Sequence, residues 1–273
     1  MKSIALGQYY PVTSPMHRLD ARMKVILAIL YIVCTFLCKN ILAFAALTLS
    51  AFVLTLLSHI PLRRILRAIR PIIFIMCFTA ILNIFFVKGE HLLWSFWKFE
   101  IFEEGLYSAA FMLVRIVVLI IGTSLFLTYT TTPISLTDAL ESLLKPLRVI
   151  RVPVHEFAMM MTIALRFIPL LSEETTKIMN AQKARGVDFS QGGLIKRAKA
   201  LIPILIPLFV SAFRRAEELA TAMECRCYRG GSGRTKMTVP HVHARDFVAL
   251  VLMLCFGAGI IWLNFAGYGY TMP

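Results

Sequence analysis

Residues 106–129 read LYSAAFMLVRIVVLIIGTSLFLTY, and Arg115 is the one charged side chain in this run. An α-helix of about 20 mainly apolar residues crosses the hydrocarbon core of a bilayer, so this run is long enough to span a membrane. Four more apolar runs occupy approximately residues 24–38, 41–57, 71–87 and 247–265. We therefore predict an all-α polytopic membrane protein with about five transmembrane helices. The first and third runs are short, which predicts local thinning of the bilayer or burial against other helices.

The overall composition agrees with a membrane protein and narrows the choice of partners. Of the 273 residues, 58% are hydrophobic and 16% are charged, and the formal net charge is +14. Nucleic-acid-binding proteins are also basic, but here the basic residues stand beside the apolar runs and no aromatic and basic binding surface is recognisable. We therefore expect the lipid bilayer, and not nucleic acid, as the counterpart. Residues 1–11 lack an apolar segment with a cleavage site, so we expect no removable signal peptide.

The distribution of lysine and arginine predicts the orientation of the chain in the membrane. With five spans, three basic clusters fall on one side, which the positive-inside rule assigns to the cytoplasm. The clusters are Arg18, Arg22 and Lys24 before the first run, Arg63, Arg64, Arg67 and Arg70 between the second and third, and the many basic residues of the segment 145–245. We expect a multi-pass protein of the cell membrane, with a cytoplasmic N-terminus and the C-terminus outside.

A long basic region, residues 131–245, separates the four transmembrane helices of residues 1–130 from a last transmembrane helix in residues 246–273. Leucines at helical spacing predict an amphipathic helix at the membrane interface in residues 131–150. Two longer cytoplasmic helices are predicted over residues 153–185 and 203–228. Each contains Ile-Pro-Leu, then two glutamates, then an alanine four positions before a terminal arginine. We interpret this shared plan as a quasi-repeat.

Both long helices end in an arginine between two small residues, Ala184-Arg185-Gly186 in the first and Cys225-Arg226-Cys227 in the second. Small neighbours let a partner approach the helix closely, and a guanidinium offers five donors to a carboxylate or to clustered carbonyls. One such arginine is explained better by the helix dipole and the positive-inside rule. Its repetition in the same small-residue frame favours two parallel contacts with a cytoplasmic partner.

Other candidate chemistry is weak. Cys225 and Cys227 are spaced like metal ligands, but no second Cys or His pair at zinc spacing accompanies them. The sequence lacks a phosphate-binding loop with its lysine, so we do not expect this chain to bind ATP itself. We predict a non-catalytic protein that binds no cofactor and no metal. Arg115 needs a partner within its span, which we expect among backbone carbonyls, Asn83 or a residue of another subunit.

The motifs in combination resemble the transmembrane (T) component of energy-coupling factor transporters, the EcfT/CbiQ family. The resemblance covers nearly the whole chain and rests on GQYYP at residues 7–11, HRLDAR at 17–22, RFIP at 166–169, QKARG at 182–186 and RCYRGG at 226–231.

The resemblance implies that the two arginine motifs end coupling helices that dock on two ATP-binding cassette ATPase subunits. It also implies that the membrane part holds a separate substrate-binding S component, for uptake of a vitamin or micronutrient. The coupling residues would be Ala184, Arg185 and Gly186 in the first motif and Cys225, Arg226 and Cys227 in the second. The second motif departs from Ala-Arg-Gly at both flanks, although cysteine is also small.

Alternative functions remain open. A self-contained secondary transporter would need an ion or substrate site made by its own broken helices near the midplane. A T component dedicated to cobalt, nickel or biotin uptake would carry the same arginine pattern. An intramembrane enzyme would need paired catalytic groups within the spans, and the sequence lacks them. Copurification with ATPases separates a coupling subunit from the secondary transporter and the enzyme.

Overall fold

The computed structural model describes residues 9–86, 92–96, 99–187, 189, 193–230 and 242–265. The helices in this part of the chain are α1 (Ala21–Leu37), α2 (Ile41–Ser58), α3 (Leu62–Ile69), α4 (Ile73–Phe86), α5 (Glu103–Thr123), α6 (Pro133–Leu144), α7 (Val154–Ala184), α8 (Leu194–Cys225) and α9 (Ala244–Phe265). Turns of 3₁₀-helix follow α3 (Arg70–Ile72) and α6 (Lys145–Ile150), and a π-helical turn follows α5 (Ser124–Thr128). The prediction of an all-α polytopic membrane protein is confirmed.

A small hairpin between α4 and α5 is an addition to the predicted architecture. Strand β1 (Leu92–Phe96) pairs antiparallel with β2 (Phe99–Phe102), and Ser95 stands opposite Glu100 in the register. The sequence signal is an alternation of aromatic or aliphatic residues with polar ones, which is typical of short strands. The apolar runs on either side conceal this period-2 pattern.

Five of the described helical segments are long and apolar enough to cross a membrane: Ile41–Ser58, Leu62–Phe86, Glu103–Thr128, Val154–Ala184 and Ala244–Phe265. The count of five agrees with the prediction, but the five segments are not the same ones. The 17 residues of α1 form a helix about 25 Å long, shorter than a hydrocarbon core of about 30 Å. In contrast, α7 qualifies, with a mean hydropathy of 1.4 against 2.1–2.5 for the other four. This value describes the most apolar stretch of the helix, residues 154–171, and is low because the stretch includes His155, Glu156 and Arg166. The polar second half, from which the sequence predicts a cytoplasmic helix, lies outside this stretch.

The third apolar run, predicted from about residue 71, forms the later part of a helical segment that begins earlier. Leu62–Phe86 is one helical segment, so the arginines that precede Pro71 lie within it. Arginine is a good helix former, and Pro71 lies in the first turn of the 3₁₀ segment, where its missing N–H is tolerated. Ile65 is buried, whereas Arg63 and Arg67 are exposed, so α3 is amphipathic.

The chain divides into two compact units, one containing Leu140–Thr238 and the other Gly7–Ala139 with Val239–Pro273. The second unit is built around α1, whose Tyr31 is completely buried. A Cβ at Gly122 of α5 would overlap the Tyr31 ring, so α1 and α5 approach closely here. Burial against other helices is therefore how the short α1 is accommodated.

Helices α1 and α9 are parallel and are joined at both ends. At their first residues, the backbone N–H of Asp20 donates to Oδ1 of Asp246 at 2.9 Å. At their last residues, Nδ2 of Asn40 donates to the Leu263 carbonyl at 2.9 Å, and Nδ2 of Asn264 donates to the Leu37 carbonyl at 2.7 Å. The first and last helices of this unit thus run in the same direction.

Three more contacts gather other helix ends beside the start of α1. Nζ of the buried Lys24 donates to the Thr130 carbonyl at 2.8 Å. The Tyr10 N–H donates to the Tyr129 carbonyl at 3.0 Å, and the Tyr129 hydroxyl donates to the Arg64 carbonyl at 3.0 Å. The start of α3 and the end of the α5 segment therefore lie at the same end of the bundle as the starts of α1 and α9.

Candidate functional site

Helix α7 ends in a Schellman motif centred on Arg185, the C-cap residue. The Gly186 N–H donates to the Lys183 carbonyl at 3.0 Å, and the Val187 N–H donates to the Gln182 carbonyl at 3.1 Å. This motif requires a left-handed residue directly after the cap, and Gly186 has φ +88°. Glycine at this position explains why the helix stops immediately after its arginine.

Helix α8 begins at Leu194, so the predicted start at Pro203 is wrong. A proline commonly marks the first turn of a helix, but Pro203 and Pro207 both lie inside α8. The preceding segment extends the helix because it is rich in good helix formers, Lys196, Arg197 and Lys199 among them.

The end of α8 repeats the geometry of the end of α7. Arg226 is the C-cap residue, the Cys227 N–H donates to the Glu224 carbonyl at 2.8 Å, and the Tyr228 N–H donates to the Met223 carbonyl at 3.0 Å. Cys227 occupies the position of Gly186 and has φ +56°, an uncommon conformation for a residue with a Cβ. The two arginine motifs thus share one backbone structure despite their different flanks.

All six residues predicted to form the site are exposed: Ala184, Arg185, Gly186, Cys225, Arg226 and Cys227. Among the residues that the structure describes, neither Arg185 nor Arg226 forms an ion pair with a carboxylate. Both guanidinium groups are therefore available to an external acceptor.

The two helices are joined by a polar cluster that lies about two thirds of the way along each of them. Glu174 of α7 accepts hydrogen bonds from the Ser211 hydroxyl at 2.6 Å and from Nη2 of Arg215 at 3.0 Å, both on α8. In the sequence, Glu174 is recognisable only as one of the two glutamates of the quasi-repeat, so its hydrogen bonds to α8 are not predicted. A serine and an arginine four positions apart on one helix face are a recognisable signal, but their partner on another helix is not.

Helices α7 and α8 run in opposite directions. Near the start of α7, Glu156 Oε1 lies 3.9 Å from the position that a Cβ on Gly230, just beyond α8, would occupy. Eighteen residues further along α7, Glu174 contacts Arg215. The two contacts thus advance along α7 from Glu156 to Glu174 but go back along the chain of α8, from Gly230 to Arg215.

The antiparallel arrangement places the two arginine motifs on opposite sides of the polar cluster. Arg185 follows Glu174 by eleven residues, and Arg226 follows Arg215 by the same number. At 1.5 Å per residue, each motif lies about 16 Å from the polar cluster, and the two lie about 30 Å apart. The helix pair can therefore contact two separate partner surfaces at once.

The start of α7 is held by a separate contact within the same unit. His155 Nδ1 lies 3.0 Å from Oε1 of Glu141 in α6. This contact and the polar cluster at Glu174 restrain α7 at two points and leave its arginine end exposed.

Arg115 finds its partner in the backbone. Its Nη2 donates to the Cys38 carbonyl at the end of α1 at 3.1 Å, and its guanidinium lies 5.6 Å from the centre of the Phe44 ring. Asn83, another expected partner, instead donates to the Thr79 carbonyl and to Sδ of Met112. Of the expected partners, the backbone carbonyl is the one that the structure contains.

The chemistry of the paired cysteines is limited in the structure. Cys225 and Cys227 are free and exposed thiols. Within the described residues, no group of three His, Cys, Asp or Glu side chains is placed to hold a metal ion.

The comparisons with known proteins agree with a membrane transport role. The model of the cobalt transport protein family, CbiQ, matches residues 12–237. A relative from Thermosediminibacter oceani, an energy-coupling factor transporter transmembrane protein EcfT, is 46% identical over 97% of this chain and 99% of its own length.

Two further relatives carry the same name. The protein from Ruminiclostridium cellulolyticum is 48% identical over 97% of this chain and 98% of its own length. The protein from Bacillus subtilis is 45% identical over 97% of this chain and 99% of its own length. The similarity therefore includes both arginine motifs and all of the described helices.

Proposed function

This chain belongs to the EcfT/CbiQ family of transmembrane components of energy-coupling factor transporters, and we propose that it transmits ATP-driven movement from two cytoplasmic ATPase subunits to a membrane-embedded S component. The observation that carries this proposal is the pair of Schellman-capped arginine ends on opposite sides of the polar cluster that joins α7 and α8. A contact with only one partner surface would not require two such ends about 30 Å apart.

Each arginine end is suited to bind in an acidic or carbonyl-lined pocket of a partner protein. Arg185 and Arg226 are exposed, and the small residues beside them allow close approach by another backbone. A charge-assisted hydrogen bond from a guanidinium to a carboxylate contributes about 1.5 to 3 kcal/mol. We assign one ATPase subunit to each motif, with Ala184, Gly186, Cys225 and Cys227 as the small-residue frame.

The polar cluster of Glu174, Ser211 and Arg215 makes the helix pair a mechanical unit. Because the cluster joins α7 and α8 between their arginine ends, a change in the distance between the two ATPases acts on both helices together. The membrane-facing half of each helix would then carry the movement to the substrate-binding partner.

A partner within the membrane is supported by the exposed apolar surface of α8. Its first two thirds expose large side chains that are unfavourable in water: Ile202, Leu205, Ile206, Phe209, Val210 and Phe213. Lipid and an apolar protein surface are both suitable environments. We assign this surface to the S component, because it continues along the helix that ends in Arg226.

The orientation follows from the end of the bundle where the basic segments meet. The starts of α1, α3 and α9 lie together and carry Arg22, Arg63 and Arg245. The positive-inside rule places this end in the cytoplasm. The N-terminus and the coupling region of residues 131–245 are then cytoplasmic, and the C-terminus is outside. The apolar first half of α7 then lies at the interface between the membrane and the cytoplasm.

Copurification tests the proposed function. The tagged full chain, co-expressed with ATP-binding cassette subunits and an S component from an energy-coupling factor transporter, should retain all of them. In proteoliposomes, the complex should take up vitamin only with ATP and Mg²⁺, and the isolated chain should hydrolyse none. Uptake by the chain alone, driven by an ion gradient, would establish the secondary-transporter alternative instead. Assays with Co²⁺, Ni²⁺ and biotin separate the remaining substrate classes.

A further inference from the structure

A groove of about 860 Å³ runs along the unit formed by Gly7–Ala139 and Val239–Pro273. Its walls are one face of α2 and one face of α9, and buried residues of the core form its floor. On α2 the lining residues recur at helical spacing, and those on α9, such as Val248 and Leu252, do the same. Val248 and Leu252 are 58% and 65% exposed, so the groove is open along its side.

One end of this groove is basic. Arg18 and Arg245 both line it, and both are exposed. The bond from the Asp20 N–H to the Asp246 carboxylate brings the segments that carry these arginines together. Within the described part of the chain, neither guanidinium forms an ion pair with a carboxylate.

The neighbouring carboxylates, those of Asp20 and Asp246, accept hydrogen bonds from the protein backbone. Both oxygens of Asp246 accept backbone N–H groups, one from Asp20 and one from His243, and Oδ1 of Asp20 accepts the Arg22 N–H. The buried Lys24 interacts electrostatically with both carboxylates. These hydrogen bonds to both carboxylates thus come from backbone N–H groups, and Lys24 lies near both of them. In the described ranges, neither carboxylate forms an ion pair with either of the two groove arginines.

We propose that this groove is a specific binding site for an anionic glycerophospholipid, with one acyl chain between α2 and α9 and the phosphate held by Arg18 and Arg245. The groove extends from Arg245 to Phe256, which is eleven residues or about 16 Å along α9. Half of a hydrocarbon core of about 30 Å is about 15 Å, the depth of one leaflet. The apolar length thus fits a single acyl chain, and the arginines lie where a headgroup would be.

The arrangement favours a phospholipid over the other occupants. Free phosphate would use the arginines and leave the apolar groove unfilled. A zwitterionic lipid would fill the groove but bring no net charge to two arginines that lack acidic partners. Anionic lipid satisfies both features, because basic residues at the cytoplasmic surface attract anionic headgroups. The proposal depends only on the chain spanning a membrane and is independent of the ATPase contacts.

The test is a lipid titration of the purified full chain in a neutral detergent, with bound lipid counted by native mass spectrometry. We expect dioleoylphosphatidylglycerol to bind more tightly than dioleoylphosphatidylcholine. Arg18→Gln and Arg245→Gln should each weaken phosphatidylglycerol binding about fivefold, and the double variant about thirtyfold. The matched control is Arg63→Gln with Arg67→Gln, which removes the same charge from exposed α3 positions outside the groove.

A second variant tests the acyl-chain half of the site. Ala249 lines the groove, and Ala249→Phe should fill it and weaken the binding of both lipids. The proposal is overturned if the Arg18 and Arg245 double variant and the Arg63 and Arg67 double variant change phosphatidylglycerol binding alike. Equal binding of both lipids that neither double variant reduces also overturns it, because this behaviour indicates ordinary annular lipid. It is also overturned if inorganic phosphate displaces the lipid completely. Loss of bound phosphatidylglycerol on assembly with the ATPase and S subunits would show instead that the groove binds a protein subunit.

Discussion

Glu174 and Arg215 join α7 to α8 at positions that are equally distant from the two arginine ends, since Arg185 and Arg226 each follow their own member of the pair by eleven residues. Their side chains meet at 3.0 Å and are 24% and 36% exposed. The junction therefore lies at the centre of the helix pair, and both ends remain free for partners.

Removal of this junction should impair transport more than folding. Because both side chains are partly exposed, solvent screens the pair, and Glu174→Gln or Arg215→Gln should lower the free energy of unfolding only slightly. ATP-driven uptake should fall further, since the helices would no longer move together. Uptake per assembled complex in proteoliposomes measures this. The matched control is Glu173→Gln on the adjacent exposed position, and equal uptake by all three variants and wild type would refute the mechanical role.

Arg185→Ala and Arg226→Ala should each weaken ATPase retention, because each removes charge-assisted hydrogen bonds contributing about 1.5 to 3 kcal/mol. The double variant should show nearly additive losses, since the sites lie about 30 Å apart. Lysine should rescue poorly because it lacks the planar fork. ATPase copurified per chain is the measurement.

The control for the arginine variants is Arg214→Ala, which removes an exposed charge from within α8. It should retain the ATPases at the wild-type level. Full assembly and transport by the double Arg185 and Arg226 variant would identify both arginines as ordinary positive-inside charges.

The left-handed cap of α8 should tolerate glycine better than its native residue. Cys227→Gly should stabilise the helix end by about 0.5 to 1 kcal/mol, because φ +56° is unfavourable for a residue with a Cβ. Cys227→Val should destabilise it, since a β-branched side chain is worse still. Hydrogen exchange at Cys227 and Tyr228 reports the effect locally, and faster exchange in the glycine variant than in wild type would contradict it.

Gly122→Ala should destabilise the core by about 1 to 3 kcal/mol, because its Cβ would overlap the buried Tyr31 ring. Tyr31→Leu in the same chain should recover part of the loss. Gly259→Ala on α9 is the matched control, since a Cβ there meets no atom within 4 Å. Thermal unfolding in detergent compares them, and equal midpoints for the two alanine variants would rule out the close approach.

Acid should weaken the N-terminal segment through His17. Its Nε2 lies 2.9 Å from the Tyr10 carbonyl and its Nδ1 lies 2.7 Å from the Ser14 hydroxyl, which fits a neutral ring that donates at Nε2. Burial, assisted by the nearby Lys24 charge, lowers the pKa of His17 below its usual 6.5 in spite of the Tyr10 hydrogen bond. The neutral ring is thus favoured in the folded chain.

The stabilisation from His17 is complete above about pH 6.5 and is lost as the pH falls through its lower folded value. The difference in unfolding midpoint between wild type and His17→Gln should therefore shrink from pH 7.5 to pH 5. A constant difference for His17→Gln would argue against the buried neutral ring.

The sequence by itself determined the class of protein and the two arginine motifs. Apolar runs of about 20 residues have few solutions other than membrane helices. A terminal arginine in a small-residue frame is a local pattern, and Arg185 and Arg226 are both C-cap residues as their positions predict. The helix boundaries were less certain, because Pro71 and Pro203 resemble start signals but lie within longer helical segments.

Only the tertiary structure decided which distant residues meet. Glu174 pairs with Arg215 across two helices, Asp246 pairs with the Asp20 backbone 226 positions away, and Arg115 reaches the Cys38 carbonyl. Local patterns carry no information about such partners, because a hydrogen bond between helices depends on which faces pack together and in which direction. The antiparallel packing of α7 and α8 separates the two arginines, and that distance is set by packing and not by their spacing in the chain.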